Sequence, residues 1–536
     1  MLEGARGAQI LDSESTSSRR EEVSGLPKGA RLAGVIRMAE RAALLGFILY
    51  AIFAPHSIAG AEIGLALVAL GWLARTLATA DAGFGRRTPQ DLPIWLFLAW
   101  TLLSAFLSAE PAISLAKIQS VCVLFLYYLT RAMVERRRAL LLVALMIASG
   151  VAGVVWGVVE LARGRGVTIE AMTAESPFRL TPVQVGDAVW RMGQRRVSSI
   201  EEIDDAIRRA GPGAPLSVSF IKQGEHGESN ALLITDEMKA RSSPSGLEGT
   251  QPTHRFRASG WTRHYETFSE TLQILAQLSL GLALAHLRRR GGRRGGWRAW
   301  LWLGAGALLA LGIMLTAMRT VLVACAIGAA VVAWRAARKR ERIFIYAALI
   351  LLLVTGALAV WRTRAQGTLS FQDASAQLRL RVAGVALSRL AIHPFFGHGM
   401  DAVKRHWTEW GFPGREIIHL HSTPLQLAFD RGLPALFFWF WIMASFWRTT
   451  ASAEKSARAG ADANADADAV DRHGLLLGAT GSLAGFFASS LVNYNFGDAE
   501  VALVFWWLMG IGTKCRSQNT ELRVRKKKPH RLHSES

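Results

Sequence analysis

The strongest constraint on this chain is a recurring pattern of apolar stretches, each of spanning length and each bounded by charged residues. A helix needs about 20 apolar residues to cross the hydrocarbon core of a bilayer, and the dispersed apolar residues of a soluble fold do not form such blocks. The 51% apolar content of the 536 residues matters here because these residues are clustered. We therefore predict an all-α polytopic membrane protein.

The pattern predicts about twelve transmembrane helices. They cover residues 41–58, 60–76, 93–108, 114–130, 139–160, 268–287, 299–316, 320–334, 343–361, 433–447, 474–493 and 499–513. If the N-terminus is cytoplasmic, the basic knots between the helices, such as Arg136–Arg138, Arg288–Arg290 and Lys526–Lys528, all fall on the cytoplasmic side. The prediction is a multi-pass protein of a bacterial inner membrane with both termini in the cytoplasm.

This threading divides the chain into seven segments. They are a disordered cytoplasmic tail (1–40), transmembrane helices 1–5 (41–160), a periplasmic segment (161–267), helices 6–9 (268–361), a periplasmic catalytic loop (362–432), helices 10–12 (433–513) and a basic cytoplasmic tail (514–536). The Ala/Asp/Asn-rich residues 448–473 are predicted to be a solvated cytoplasmic linker.

The net charge of +21 does not indicate a nucleic-acid partner, because the cations lie in short knots that orient helices instead of forming one basic surface. Three cysteines, Cys122, Cys325 and Cys515, have neither disulfide nor zinc spacing. We therefore predict no nucleic-acid partner, no metal and no cofactor. Membrane lipids are the expected surroundings.

Residues 165–236 of the first periplasmic segment are predicted to form a small α+β domain. Short strands at 188–190 and 216–220 flank a helix at 199–210, for which Ser198 or Ser199 is the N-cap. The run VGDAVWRMGQRRVSSIEEIDDAI resembles the second half of a PDZ domain. That resemblance implies a module that docks a peptide or protein partner at a sheet edge, and a spacer that shapes the mouth of a membrane site is the alternative.

Several cationic residues lie where helices meet the outer boundary. Arg257 and His264 precede the sixth predicted helix in a run that also suits an interfacial anchor. Arg319 occupies an outward turn where the threading predicts no positive charge, and a boundary arginine is costly enough to imply a partner. Phosphate is a suitable partner, since guanidinium presents a planar fork of donors and keeps its charge.

The last periplasmic segment holds the densest set of chemically active residues. Arg379 and Arg381 lie on a stretch with apolar residues at helical spacing. His419 and His421 alternate, so an extended segment would place both on one face, where a neutral imidazole can accept a hydroxyl proton. The pair could also hold a metal, but no H-x-x-x-H motif or carboxylate cluster accompanies it in the sequence.

These residues resemble the O-antigen ligase and polymerase superfamily. Its typical run is P-x-x-G-x-G, a variable loop, H-x-H-N and then L-x-x-x-x-E-x-G-L, with further arginines in an outward segment and a T-x-S-R turn. The matching residues are Pro394, Gly397, Gly399, His419, His421, Leu427, Asp430, Gly432 and Leu433, together with Arg257 and Arg319. Ser422 replaces the usual Asn and Asp430 the usual Glu.

The resemblance implies an inverting, metal-independent transfer of a glycan from a polyprenyl diphosphate to an acceptor hydroxyl. The arginines would offset the diphosphate charge, and His421, with His419 beside it, would orient or deprotonate the acceptor hydroxyl. Gly397, Gly399, Ser422, Asp430 and His264 would support the site. The acceptor could be lipid A core in a ligase, the growing chain in a polymerase, or a protein in an O-oligosaccharyltransferase.

Two alternatives of another class remain open at this stage. A secondary transporter has a comparable number of helices. Transporters, however, tend to have internal repeats and charged residues at mid-membrane depth, whereas these histidines and arginines cluster at one face. A sensor or scaffold would use the PDZ-like unit for docking, but it would leave Arg319 and the histidine pair without a role.

Overall fold

The computed structural model describes residues 28–85, 87–211, 213, 215–222, 224–249, 251–262, 264–288, 296–343, 374–414, 419–464 and 467–526. The helices up to residue 163 are α1 (Lys28–Phe53), α2 (Ile58–Thr79), α3 (Asp91–Leu107), α4 (Pro111–Ala116), α5 (Phe125–Met133) and α6 (Arg136–Arg163), and a small α+β unit with α7 and α8 follows them. The helices after it are α9 (Tyr265–Leu287), α10 (Gly296–Leu315), α11 (Arg319–Ala336), α12 (Ala374–Leu390), α13 (Ala402–Arg405), α14 (Thr423–Arg431), α15 (Leu433–Asn464), α16 (Ala467–Ser490) and α17 (Ala499–Lys526).

Among the described residues, five helices are long and apolar enough to cross a membrane, namely α2, α6, α9, α10 and α11. The predicted ninth span, 343–361, lies almost entirely outside the described residues. Helices occupy the other predicted positions, with one exception. The predicted span 114–130 corresponds to a shorter apolar helix, Ile118–Met133, whose first part, Ile118–Leu124, is 3₁₀ and which follows the separate short helix α4.

Three further boundaries differ from the predictions. Residues 28–40 belong to α1 and are not a disordered tail. The acidic residues predicted as a linker continue α15 to Asn464 and begin α16 at Ala467. The basic C-terminal segment is helical as far as Lys526. Alanine is the best helix former, so a run rich in it extends a helix even when Asp and Asn are interspersed.

Close helix packing places α16 between α9 and α11. A Cβ atom on Gly281 of α9 would lie 2.6 Å from the carbonyl oxygen of Gly474 in α16. A Cβ atom on Gly481 of α16 would lie 2.9 Å from the carbonyl oxygen of Gly328 in α11. Small residues let membrane helices approach this closely, and the resulting core is continuous across the bundle.

The α+β unit contains five strands in one sheet, ordered β1 (Val167–Thr168), β3 (Ala188–Met192), β5 (Pro215–Lys222) and β6 (Glu225–Leu233), with β4 (Arg195–Arg196) paired to β3. A second pair joins β2 (Ala171–Met172) to β7 (Leu247–Glu248). Helix α7 (Ile200–Arg209) begins at Ser199, whose hydroxyl accepts from the Glu202 amide, and α8 (Asp236–Lys239) follows the sheet. The strand and helix positions predicted between 188 and 220 are confirmed, but the unit extends beyond residue 236 because Leu247, Glu248 and Thr253 pair with it.

The α+β unit is fixed to the end of α6 by one carboxylate. Glu160, in the last turn of α6, forms ion pairs with Arg165 and with Arg196 of β4, and its contact to Arg196 Nη1 is 2.6 Å. The Arg165 guanidinium lies 4.8 Å from the ring of Trp190 and 4.6 Å from that of Phe256. A buried ion pair that is also stacked on aromatic rings holds its neighbours in one geometry.

Several connecting segments meet at one end of the helix bundle, which we call the loop end. There, the Ala109 amide donates to Gly397 O at 3.3 Å, and the Ala258 amide donates to Leu315 O at 3.0 Å. The Thr423 amide donates to Asn493 O at 3.0 Å. Segments far apart in sequence therefore share one surface at the ends of α3, α10 and α16.

Candidate active site

A cavity of about 370 Å³ lies at the loop end. It is lined by four of the residues predicted from the sequence: His264, His419, His421 and Asp430. Other polar lining residues come from α9, from the segment around Asp401, from the loop between α16 and α17 and from the first turn of α17. These are Glu266, Thr267, Glu270, Asp401, Asn493, Tyr494, Asn495, Asp498 and Glu500.

The histidine pair is held by the turn that starts α14. His421 has φ +51°, in the left-handed region, so the segment is not the extended strand that the alternation suggested. The Leu420 amide donates to Gln426 Oε1 at 2.7 Å, and the Leu420 side chain is buried in an apolar cluster with Trp407 and Phe429. The two imidazoles still come together, with ring centroids 4.6 Å apart and planes at 83°.

Burial keeps both imidazoles neutral. It lowers the pKa of His421 to about 3, with smaller contributions from His419 and from the positive charge of Arg379. Burial also lowers the pKa of His419, and Arg379 acts in the same direction. Since a neutral imidazole keeps an acceptor lone pair, each ring can accept a hydrogen bond from a hydroxyl at physiological pH.

Ser422, which replaces the usual Asn of the family, can fill the same role as a helix N-cap. Ser422 is the N-cap of α14, and its hydroxyl accepts from the Leu425 amide at 3.4 Å. Serine and asparagine are both strong N-cap residues. The capping group therefore directly follows His421 and fixes where the helix begins.

The glycines of the P-x-x-G-x-G run allow close contact with the end of α14. Gly397 has φ +71°, and a Cβ atom there would lie 2.5 Å from the carbonyl carbon of Asp430. The Gly399 amide donates to Asp430 O at 3.0 Å, and the Leu433 amide donates to Pro394 O at 2.8 Å. The two motifs, although separated by the variable loop, form one backbone unit at the junction of α14 and α15.

Asp430 connects this unit to the histidine pair. Gln426 Nε2 donates to Asp430 Oδ1 at 2.8 Å, while Gln426 Oε1 holds the Leu420 amide between the two histidines. Burial raises the pKa of Asp430 to about 7, although Arg431 and the bond from Gln426 act in the opposite direction. Asp430 is therefore placed to position the imidazoles through Gln426.

Of the four arginines predicted to bind diphosphate, Arg379 and Arg257 act electrostatically on residues that line the cavity. Arg257 stacks on the ring of Tyr265 at 4.6 Å, and its Nη1 lies 4.0 Å from the sulfur of Met318, next to Arg319. Arg319 is exposed at the start of α11. Arg379 is half-buried on α12, close enough to act on both histidines, whereas Arg381 is exposed.

None of these four arginines lines the cavity itself. Among the described residues, the basic lining side chains besides histidine are Lys117 and Arg431. Lys117 forms an ion pair with Asp401 at 3.3 Å. The cavity walls are therefore lined mainly by acidic and amide side chains.

Sequence reasoning missed the acidic side of the cavity. Glu270 Oε1 accepts from Ser489 Oγ at 2.9 Å and from Asn493 Nδ2 at 3.1 Å. Thr267 Oγ1 donates to Asp498 Oδ2. Two signals could have found these groups: acids one helical turn apart at the start of an otherwise apolar helix, and the polar run Asn493–Asp498 between two apolar helices.

Within the described ranges, no group of three or more His, Cys, Asp or Glu side chains is arranged to hold a metal ion. The carboxylates are bound to hydroxyl and amide groups of the protein, as Glu270 and Asp430 illustrate. Their lone pairs are suited to hydroxyl donors.

The fold and the cavity define a multi-pass helical membrane protein whose polar, histidine-bearing site lies where its loops converge. Residues 304–440 match the family described as O-antigen ligase, and this match supports the resemblance to the O-antigen ligase superfamily. The matched range includes Arg319, the paired glycines, both histidines and Asp430. No curated protein matches the chain.

Proposed function

We propose that the protein transfers a glycan from a polyprenyl diphosphate to an acceptor hydroxyl at the periplasmic face of a bacterial inner membrane. The observation that carries the proposal is a pair of neutral imidazoles that line one cavity, with the partly buried Arg379 close enough to act on both. The O-antigen ligase match over residues 304–440 supports a glycan as the transferred group. Both termini are then cytoplasmic, with the basic start of α6 at the opposite end from the cavity.

The diphosphate and the sugar of the donor bind in different environments. Its diphosphate binds at the arginines around the cavity, where Arg379, Arg257 and Arg319 offset negative charge, with Arg381 as the outermost contributor. Its sugar enters the cavity, where hydroxyl groups donate to carboxylates such as Glu266 and Asp498. This arrangement accounts for a cavity whose walls are acidic although the leaving group is an anion.

In the reaction, the acceptor oxygen attacks the anomeric carbon from the face opposite the diphosphate. The bond between that carbon and the diphosphate oxygen breaks, and the bonding electrons leave with the polyprenyl diphosphate, which inverts the anomeric configuration. His421 accepts a hydrogen bond from the acceptor hydroxyl and takes its proton as the new bond forms. Diphosphate charge beside the ring favours the imidazolium, so the low pKa of the empty site rises when the donor is bound.

The acceptor must supply a hydroxyl group, and lipid A core, a growing glycan and a protein side chain can each do so. The α+β unit lies at the same end as the cavity, fixed to α6 through Glu160. We propose that it docks a peptide or protein partner, or shapes the entrance for a specialised acceptor. No cofactor and no metal take part in the proposed reaction.

The test is replacement of His421 by Ala in a host scored for surface glycan and for accumulated polyprenyl-linked donor. Loss of a catalytic base lowers rates by about two to four decades, so product should disappear and donor should accumulate in the periplasmic leaflet. His393→Ala is the matched control, because His393 is exposed in the same segment outside the cavity. A His421→Ala variant with normal product at normal protein level would refute the proposal.

A second experiment compares the contributions of two of the arginines proposed to bind the diphosphate. Arg379→Ala should raise the donor concentration needed for half-maximal rate more than Arg381→Ala, because only Arg379 acts on the histidines in the structure. Donor accumulation confined to the cytoplasmic leaflet would instead indicate a transporter.

A further inference from the structure

A second concave surface lies at the bundle periphery, away from the candidate active site. It is a groove of about 800 Å³ between α15, the residues just before α3 and the middle of α17. Phe437, Phe440 and Trp441 line one part of it, and Arg448 and Arg516 line another. The groove is therefore apolar along one stretch and cationic along the other.

The length of the groove matches one leaflet. Three helical turns separate Phe437 from Arg448, which at about 1.5 Å per residue is about 16 Å along the helix. Half of a hydrocarbon core is about 15 Å thick. Leu433, the first residue of α15, is bonded to Pro394 at the loop end, so the arginines lie toward the far leaflet.

The two arginines reach the same depth from different helices. Arg448 lies midway along α15, and Arg516 lies just past the middle of α17, which also starts at the loop end. Arg516 Nη1 lies 3.5 Å from Thr449 Oγ1, beside Arg448. Two arginines from separate helices thus line one part of the groove, and guanidinium groups are suited to bind a phosphate there.

The apolar part is open toward the surroundings of the bundle. Phe437 is 59% exposed, Phe440 41% and Trp441 37%, so their faces are available to an acyl chain. Ala444 lies between these rings and the arginines and leaves room along the helix. An apolar chain with an anionic head group at one end has the complementary shape and charge.

We propose that this groove binds one anionic glycerophospholipid of the leaflet opposite the candidate active site, with its phosphate between Arg448 and Arg516 and an acyl chain along Phe437, Phe440 and Trp441. The site requires only the membrane placement of the helices and is independent of the transfer reaction. A basic pocket between helices at that boundary is a recurrent way to hold an anionic lipid.

The experiment uses the full-length protein in detergent, titrated with phosphatidylglycerol or phosphatidylcholine and analysed by native mass spectrometry. The wild type should retain one phosphatidylglycerol in preference to phosphatidylcholine. Each cation near an anionic lipid surface contributes about 1 kcal/mol, so Arg448→Gln with Arg516→Gln should weaken phosphatidylglycerol binding about thirtyfold. Arg138→Gln is the control, an exposed arginine outside the groove and paired with Glu135.

Ala444→Leu tests the acyl-chain part separately, because it fills the groove and leaves both arginines in place. It should also weaken phosphatidylglycerol binding. Equal binding of both lipids by the wild type would overturn the proposal. Unchanged binding in the double arginine variant would overturn it too, and unchanged binding in Ala444→Leu would reduce the site to a surface attraction for head groups. Transfer activity plays no part in these readouts, so they stand apart from the test of His421.

Discussion

At the scale of single residues, Ser422 determines how the histidine pair is presented. The residue before an N-cap is free of the helical backbone conformation, and His421 uses that freedom to adopt φ +51°. Its neighbour Ser422 then satisfies the Leu425 amide and starts α14. A single hydroxyl therefore fixes both the helix boundary and the direction of the imidazole.

Replacing Ser422 by Ala removes the cap and should cost about 1 kcal/mol of stability. Transfer activity should fall as well, because the left-handed turn at His421 loses its anchor. Ser422→Asn should keep most of both, since asparagine caps equally well. Thermal unfolding in detergent and donor consumption measure the two effects. Equal behaviour of the Ala and Asn variants would show that capping is not the role of Ser422.

The carboxyl group of Asp430 makes stability depend on pH. Its pKa is raised to about 7 in the folded protein, mainly by burial, from an ordinary value near 4. The unfolded chain therefore loses this proton at lower pH than the folded protein does. The contribution of Asp430 to stability is present below about pH 4 and is lost as pH rises through 7.

Asp430→Asn abolishes this titration and keeps an oxygen that can accept from Gln426 Nε2. The variant should gain stability relative to the wild type as pH rises from 5 to 8, and the gain should exceed about 1.4 kcal/mol, the equivalent of one pKa unit. Melting temperatures of both proteins across that range measure it. A difference that stays constant with pH would contradict a raised pKa for Asp430.

At the scale of elements, the paired glycines couple the loop to α14. Gly397→Ala places a methyl group about 2.5 Å from the carbonyl carbon of Asp430, at a φ that alanine rarely adopts. We expect destabilisation by more than about 1 kcal/mol and loss of transfer. Gly384→Ala is the control, since Gly384 lies inside α12 with open space around it and should gain about 0.5–1 kcal/mol. Thermal unfolding should show a lower melting temperature for Gly397→Ala and a slightly higher one for Gly384→Ala. A melting temperature unchanged in Gly397→Ala would contradict the close contact.

The positions of most helices could be predicted because apolar length alone marks them, and the helix at 199–210 was marked by its N-cap and acidic first turn. The break after α4 could not be predicted, since Ile118–Leu124 is as apolar as the helices beside it. The continuation of α15 to Asn464 could not be predicted either, because its composition suits a solvated linker as well as a helix.

The candidate site was predictable in its histidines and glycines, whose spacing within one segment carries the family resemblance. The acidic wall was not, because Glu270 and Asp498 lie in distant parts of the sequence and only tertiary packing brings them to one cavity. The arginines predicted to bind diphosphate are not among the lining residues, and their role stays a prediction. Sequence spacing can predict which chemical groups are present, but not which of them face a common space.

At the scale of the whole molecule, the α+β unit is connected to the predicted diphosphate site through one strand-like segment. The Arg257 amide donates to Gly224 O at 3.2 Å, and His226 Nε2 donates to Arg257 O at 3.2 Å. The next residue, Ala258, is bonded to Leu315 at the end of α10. The β5–β6 turn therefore holds Arg257 against the turn that leads into Arg319.

His226 is the group whose removal tests this connection. Burial, together with the charge of Arg165, lowers its pKa to about 4, so the ring is neutral and donates one hydrogen bond to Arg257 O. Its ring also lies 5.7 Å from that of Trp190 and 6.2 Å from that of Tyr265, on which Arg257 stacks. Loss of the ring should release Arg257 without altering the histidines of the cavity.

His226→Ala should therefore raise the KM for the polyprenyl-linked donor about tenfold, the effect of losing roughly 1.4 kcal/mol of binding, while kcat changes little. A merely structural role would lower the amount of active enzyme and leave KM unchanged. His226→Gln, which retains a side-chain N–H donor, should recover part of the affinity. His254→Ala is the control, because His254 is exposed on the same segment and its ring nitrogen contacts Leu161 O instead of Arg257. If all three variants keep the KM of the wild type, the α+β unit does not position Arg257.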